Sequence, residues 1–557
     1  MPQPPSPKAA HAPTPTPTGR SIIEGAFVEA GESVSRAAFR ALNPATGTPT
    51  GPECFAATPA EIDRAARAAE RDARAYASLP REKRAAFLGR IADEILALGE
   101  ALPALAAAET GLPASPRLAS ERDRAVLQLR SMAHAVREGA WAEPILDHAD
   151  PDRKPIPRPD LRRVLVPLGP VAVFGAGNFP IAYSTAGTDT ASALAAGCPV
   201  VVKGHPGHPG TGELVAQAVT DAAVATGMPT GVFAFLHAGG ARENHVGAEL
   251  VRHPAVAAVG FTGSHAGGMA LARLAADRPV PIPVFAEMGS VNPVFLLPAA
   301  LSRDPVGLAE RLFASATASA GQMCTCPGLF FLARGDGADA FLKALASLFH
   351  RAEPMVMLSP RVRALYASTL ASLAKAKGVE VRAGAAEQPE PRPGSPVTAS
   401  PALLRTTLAA FEADPALARE CFGPAALAVV CDRPDDLLHA ASIIPGSLTA
   451  TIISASPDGA LALGLRDLLI PRAGRLISNG VPTGVEVAPA MVHGGPYPAT
   501  NRPDASAVGP TAIRRWTRPV CFQNFPDELL PHELKDANPL NLARSEDAVY
   551  TPPRPSR

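Results

Sequence analysis

The stretch VAVFGAGNFPIAYSTAGTDTASALAAGCPVVVKGHPGHPG (Val171 to Gly210) sets the fold class. Val171 to Phe174 and Val200 to Lys203 are short apolar runs without polar alternation, as expected of strands buried on both faces of a parallel sheet. Between them lies a helical pattern, Ser184 to Ala196. The alternation continues with a helix (Gly210 to Thr226), a strand (Val232 to Leu236), a short helix (His245 to Val251), a strand (Ala257 to Thr262) and a helix (Gly267 to Ala276). Repeated βαβ units of this kind predict an α/β protein with a doubly wound sheet, whose ligands sit at the carboxyl ends of the strands.

Glycine and polar residues gather at those ends: GAGNFP (Gly175 to Pro180), KGHPGHPG (Lys203 to Gly210) and FTGSHAGG (Phe261 to Gly268). Gly263 and Ser264 open a helix, where free N–H groups can hold a phosphate. No GxGxxG occurs in the three, so the common dinucleotide fingerprint is missing.

Upstream, TPAEIDRAARAAE (Thr58 to Glu70) has a Thr cap, Pro at the first helical position and Glu61 three residues after the cap, a capping box. Helices follow over Pro80 to Gly99, Glu100 to Thr110 and Ser120 to Glu138. The basic, proline-rich DHADPDRKPIPRPDLRR (Asp147 to Arg163) reads as a connecting or edge-strand segment. Downstream, FAEMGSVNPVFLLP (Phe285 to Pro298) opens a second βα region. This region reaches SAGQMCTCPG (Ser319 to Gly328), a strand at Gly328 to Ala333, and ECFGPAALAVV (Glu420 to Val430), a turn leading into a strand. Ala385 to Pro396 and HGGPYPATNRP (from His493) read as loops, and RPVCFQN (Arg518 to Asn524) as a strand. From Phe525 onward the weak periodicity suggests a surface wrap or a subunit contact.

The composition narrows the function classes. With 52 basic and 52 acidic residues in 557, no net field steers a polyanion, and nucleic acid is not an expected partner. Seven scattered cysteines indicate reduced thiols and a cytoplasmic setting. The first 20 residues, rich in Pro and Thr, read as a disordered tail, and apolar runs stop short of a membrane span. His205/His208 and Cys324/Cys326 lack the second halves that a metal site needs, so no metal is expected.

Taken together, GNFP, VVKGHP, FTGS, AEMGS, GQMCT and ECFGP follow one order along the chain, and that order resembles the aldehyde dehydrogenase superfamily from about Glu24 to Asn524. The wording of DTASALAAGCPVVVKGHPGHPGT, EMGSVNPVFLLP and PTGVEVAPAMVHGGPYPAT resembles the branch of α-ketoglutaric semialdehyde (2,5-dioxopentanoate) dehydrogenases. The resemblance implies an aldehyde dehydrogenase-like fold with a cofactor-binding domain (21–155 and 170–287), a catalytic domain (288–492) and oligomerisation or C-terminal segments (156–169 and 493–557), assembled as a homodimer or homotetramer. It implies Cys324 as nucleophile, Asn178 as oxyanion donor and Glu287 as the base that activates water. For NADP or NAD it implies Lys203, Gly263, Ser264, Gly268, Glu420 and Phe422. NAD-preferring relatives often carry a glutamate three residues after the lysine; Pro206 stands here instead, which admits a 2′-phosphate, with Arg242 as its candidate partner. A carboxylated semialdehyde needs a cation, for which Arg117, Arg122 and Arg124 are the candidates. Fatty aldehyde oxidation, and a catalytically silent structural homologue, are the alternatives. Cys326 is placed to trap an oxidised Cys324 as a disulfide.

Overall fold

The computed structural model describes residues 16–28, 37–384, 387–390 and 392–553. A seven-stranded sheet runs, in spatial order, Val284–Glu287, Ala258–Thr262, Val171–Phe174, Val200–Lys203, Phe233–Leu236, Ile22–Ile23 and Ala26–Phe27. The first five strands are parallel. Val171–Phe174 is followed in sequence by a strand on one side and, later, by Ala258–Thr262 on the other. The winding therefore reverses at this strand, and a crevice opens beyond its carboxyl end, where GAGNFP begins.

A second seven-stranded sheet starts immediately after the first ends. Its order is Glu380–Ala383, Ala402–Thr407, Ala425–Cys431, Leu329–Ala333, Val294–Leu296, Ser447–Ile453 and Ala473–Ser478, parallel except for the first strand. Six residues, 288–293, carry the chain from one sheet to the other.

The capping box forms as expected: Glu61 N–H donates to Thr58 Oγ1 at 3.3 Å and Thr58 N–H to Glu61 Oε2 at 2.9 Å, starting the helix Pro59–Ala77. The helix expected from Ser184 begins later, at Thr188–Ala196, because the preceding residues turn back so that Ala176 N–H donates to Tyr183 O at 2.9 Å.

Three expectations need correction. Asp147 to Arg163 is a connecting segment over 148–160, as one of its two readings had it, but not an edge strand: Leu161–Pro167 lies between Thr517–Gln523 and Ile145–Asp147 in a five-stranded sheet. The stretch after Phe525 is not a plain wrap: Arg544–Glu546 and Val549–Thr551 extend that same sheet, and Leu530, Leu534 and Leu542 are buried. A strand partner several hundred residues away leaves no mark on local periodicity. Of the tail assigned to residues 1–20, residues 1–15 lie outside the described residues. Thr18 and Gly19 are held, their N–H groups donating to the buried carboxylate of Glu213 at 2.5 and 2.8 Å.

The C-terminal part is locked to the first sheet by Trp516. This ring is fully buried, donates Nε1–H to Ser192 Oγ at 2.8 Å and meets Phe285 edge-on. Its neighbour Arg515 pairs with buried Asp189 at 2.7 Å. Gly260 leaves the room for both, since a Cβ there would sit 2.7 Å from Asp189 Oδ2 and 3.0 Å from the indole. Replacing Trp516 by Ala removes a large buried ring and orphans the Ser192 contact. Urea denaturation is expected to show a loss of about 3–5 kcal/mol, and a loss under 1 kcal/mol would contradict this reading of the ring.

Candidate active site

Glu287 closes the strand Val284–Glu287 and is buried. The loop that follows His493 is laid along this strand's outer edge. Met288 N–H donates to Ala499 O at 2.8 Å, Glu287 bridges Thr500, and the Asn501 amide accepts from Ala286 N–H at 2.8 Å and donates to Val284 O at 2.9 Å. This pairing carries His493, only 2 % exposed, over the carboxylate. His493 Nε2 lies 3.0 Å from Glu287 Oε1 and 3.7 Å from Cys324 Sγ. The contact with Glu287 is close but not aligned as a hydrogen bond, and neither carboxylate oxygen has a hydrogen-bond partner. Ligand atoms of all three side chains lie within 4.8 Å of one another. The region from 493 onward, expected to be a C-terminal or oligomerisation piece, thus enters the site between the two sheets.

Cys324 follows the helix Pro305–Thr317 and a turn in which Ser319, Ala320 and Gly321 all have positive φ (50°, 57° and 67°). Left-handed backbone at two non-glycine residues is strained by roughly 1–2 kcal/mol each, so neighbouring bonds must hold it. Gly321 has no alternative, because a Cβ there would lie 2.1 Å from Gly423 O. The Gln322 side chain donates to Ser319 O at 3.0 Å and accepts from Leu358 N–H at 2.9 Å. Asn292, fully buried, donates Nδ2–H to Cys324 O at 2.8 Å and Cys326 O at 3.0 Å, while its Oδ1 accepts from Thr449 and Ser290.

Asn178 joins this group: its Nδ2 donates to Gln322 O at 2.8 Å. The loop bearing it is held by Glu121, which accepts from Ile181 and Ala182 N–H at 2.8 and 2.9 Å. Arg117 completes the clamp. It pairs with Glu121 at 2.5 Å, donates to Asn178 O and Ser319 Oγ at 3.2 Å each, and lies over the Phe179 ring at 4.4 Å. Arg117 therefore braces Asn178, and its charge is already paired with the buried Glu121 carboxylate. Arg122 stays apart from the site, donating to Gly99 O and pairing with Glu100 and Asp123 on the helix's solvent side. Arg124 points inward, to Val485 O and the Tyr183 hydroxyl.

The cofactor candidates occupy the strand ends of the first sheet and the lip of the second. Lys203 is half-buried without a hydrogen-bond partner among the described residues, and desolvation pushes its ammonium down to about 8. Ser264 caps the helix His265–Ala276, accepting from Gly267 N–H at 3.2 Å. Gly263 and Gly268 keep the helix start open and close to its neighbours, since a Cβ would lie 2.7 Å from Phe261 and 2.9 Å from Met288 respectively. Glu420 accepts from Ser290 N–H at 3.2 Å, and burial raises its carboxyl to about 7; Phe422 is half-buried beside it. A half-buried lysine without an acceptor, a glycine-lined helix start and a half-buried carboxylate with spare lone pairs fit a ribose–diphosphate ligand. Arg242 does not join Lys203: it is committed to Ala57 O and Glu249. The acidic and basic groups acting on Lys203 are Glu243 and Arg361, 3.9 Å apart.

His205 and His208 stack at 4.9 Å rather than converge. His205 Nδ1 accepts from Gly207 N–H and His208 Nε2 meets Ala176 O, while His208 Nδ1 has no partner among the described residues. Cys326 directs its thiol to Ala318 O at 3.7 Å, and burial lifts it to about 12.

Sequence reasoning missed His493 and Asn292. Each reads as a lone polar residue beside glycine or proline, and the only available signal was that such residues otherwise carry an unpaid burial penalty.

A doubly wound sheet and a second, mostly parallel sheet, with a half-buried thiol and amide and a buried carboxylate at their junction, suit an NAD(P)-dependent oxidoreductase. Residues 30–496 match the aldehyde dehydrogenase family model, and the chain belongs to that family. It is 48 % identical over 95 % of its length to α-ketoglutaric semialdehyde dehydrogenase 2 of Azospirillum brasilense, covering 99 % of that protein. It is 43 % identical over 96 % of its length to the α-ketoglutaric semialdehyde dehydrogenase of Acinetobacter baylyi, again covering 99 %. The fold also matches the crystal structure of γ-glutamyl-γ-aminobutyraldehyde dehydrogenase from Burkholderia cenocepacia, with a TM-score of 0.76 at 21 % identity, over 91 % of this chain and 96 % of that one.

Burial and the neighbouring Glu287 charge push the Cys324 thiol well above its ordinary range. Burial is the larger cause. A negative neighbour disfavours the thiolate, so removing it lowers the thiol pKa and raises the thiolate fraction at any pH below that value. Glu287→Gln is therefore expected to speed alkylation of Cys324 by iodoacetamide at pH 8 several-fold and to shift the rate–pH curve toward acid. An alkaline shift would contradict the assignment.

Proposed function

We propose that this chain oxidises 2,5-dioxopentanoate to 2-oxoglutarate with NAD or NADP. The observation that carries the chemistry is the junction of Cys324, Glu287 and His493 beside the Asn178 amide. The substrate assignment rests on the two semialdehyde dehydrogenase relatives.

Cys324 gives its proton to His493 Nε2, which lies 3.7 Å from the sulfur. The sulfur attacks the aldehyde carbon, and the carbonyl π electrons move onto oxygen. Asn178 and the Cys324 N–H stabilise this alkoxide; the amide's present acceptor, Gln322 O, keeps it pointed at the nucleophile's loop. Lys203, Gly263, Ser264, Gly268, Glu420 and Phe422 would hold NAD(P), which when bound would supply the hydride acceptor. Once Cys324 carries the acyl group as a thioester, Glu287 takes a proton from water. The hydroxide adds to the acyl carbon, the C–S bond breaks, and the carboxylate product leaves.

Pro206 removes a carboxylate from the ribose corner, and this supports acceptance of NADP as well as NAD. Arg242 is not assigned to the phosphate. The first sheet serves as the cofactor-binding part and residues 288–492 as the catalytic part. The open outer edge of Thr517–Gln523 supports assembly as a homodimer or homotetramer. Among the described residues no helix is long and apolar enough to cross a membrane.

Initial rates of NADH and NADPH formation with 2,5-dioxopentanoate and dodecanal test this reading. Wild type is expected to show the higher kcat/KM with 2,5-dioxopentanoate, and Cys324→Ala to lose about 10³-fold or more in kcat. A better rate with dodecanal points to a fatty aldehyde dehydrogenase, and no rate with any aldehyde to a silent homologue.

A further inference from the structure

Arg124 on the helix Ala119–Glu138 and Arg475 on the strand Ala473–Ser478 both bond to one loop. Arg475 donates to Pro482 O at 2.7 Å and Gly484 O at 2.9 Å. Arg124 donates to the next carbonyl, Val485 O, and to the Tyr183 hydroxyl at 3.1 Å. Hydrogen bonds to neighbouring carbonyls of one loop place the two guanidinium groups near enough for the charge of Arg124 to act on Arg475. Neither forms an ion pair with an acidic side chain among the described residues. Arg124 Nε is buried without any partner. The loop's own acid, Glu486, is exposed and accepts from Val487 N–H at 2.8 Å.

The pair also lies at the reaction centre. Arg475 is close enough to Cys324, Tyr183 and Arg124 for their charges to act on it. The Tyr183 ring meets His493 edge-on at 5.9 Å, and His493 touches the thiol. Two partly desolvated cations balanced only by neutral carbonyls leave an uncompensated positive field, which a carboxylate would neutralise with strong, charge-assisted bonds.

We propose that Arg124 and Arg475 together form the subsite for the substrate's distal carboxylate, selecting short semialdehydes that end in an anion. This deepens the proposed function and rests on it for the identity of the substrate. A five-carbon chain spans about 5 Å between its end carbons, so one end can sit on the cations while the other meets Cys324. Arg124 was legible as a candidate in the sequence; Arg475, distant and unremarkable in a strand, was not.

The test uses the full-length enzyme with pentanal and 2,5-dioxopentanoate as substrates, and glutarate as a probe that carries the anion but no aldehyde. Glutarate is expected to compete with pentanal in wild type. In Arg475→Gln and in Arg124→Gln its Ki should rise about 10- to 100-fold. The ratio of kcat/KM for 2,5-dioxopentanoate over pentanal should fall by a similar factor, mainly through KM. Arg475→Lys should recover part of that ratio, and it decides the matter together with Arg124→Gln if Arg475→Gln does not fold. If the variants lose activity equally on both substrates and glutarate inhibition is unchanged, the arginines only tether the loop and the proposal is overturned. Failure of glutarate to compete in wild type overturns it as well. If wild type prefers pentanal while glutarate still competes through the two arginines, the substrate assignment falls and the anion subsite stands.

Discussion

One buried amide holds the reacting residue in place. Asn292 lies in the six-residue crossing between the two sheets, with a left-handed backbone (φ 46°), and donates to the carbonyls on either side of Thr325. Its oxygen is tied in turn to Thr449 in the second sheet and to Ser290 in the crossing itself. A buried carbonyl without a donor costs about 1–3 kcal/mol, so the Cys324 loop can be buried only while this amide is in register. Glu287 stands five residues earlier, at the end of the first sheet. One short crossing thus sets the position of the base and the posture of the nucleophile.

Around that crossing the protein buries ionisable groups and then restrains them. Burial pushes the Cys324 thiol up and the Lys203 ammonium down, and lifts the Glu420 carboxyl. Each is held nearer its uncharged form than water would allow. Such groups are stable only inside a rigid shell, and the shell is visible: Glu121 and Arg117 clamp the Asn178 loop, while Asp189, Arg515 and Trp516 anchor the C-terminal part against the first sheet. Arg117, an apparent substrate cation, belongs to this shell because Glu121 already neutralises its charge. Arg124 differs, since its acceptors are a neutral carbonyl and a hydroxyl.

The alternating strands and helices from Val171 to Ala276 were legible because burial on both faces demands continuous apolar runs, a local property. The capping box at Thr58 and Glu61 was legible for the same reason, as its two bonds span three residues. Cys324, Glu287 and Asn178 could be named from motif order, and the structure gathers them at one junction. Arg122 could not be told from Arg124 by spacing: two residues apart on a helix, they face different ways.

The sequence by itself determined the α/β class, the first sheet's strands and the residue types that carry the chemistry, because these follow from short-range patterns of burial and turn formation. Tertiary structure alone decided that His493 covers Glu287, that Asn292 pins the Cys324 loop, that Arg475 and Arg124 bond to one loop, and that the chain's last strands extend the sheet of Leu161–Pro167. Those contacts join residues that are distant in sequence, or whose neighbours give no pattern. Their geometry comes from how two sheets and a returning loop share one buried volume, which no local window of the chain encodes.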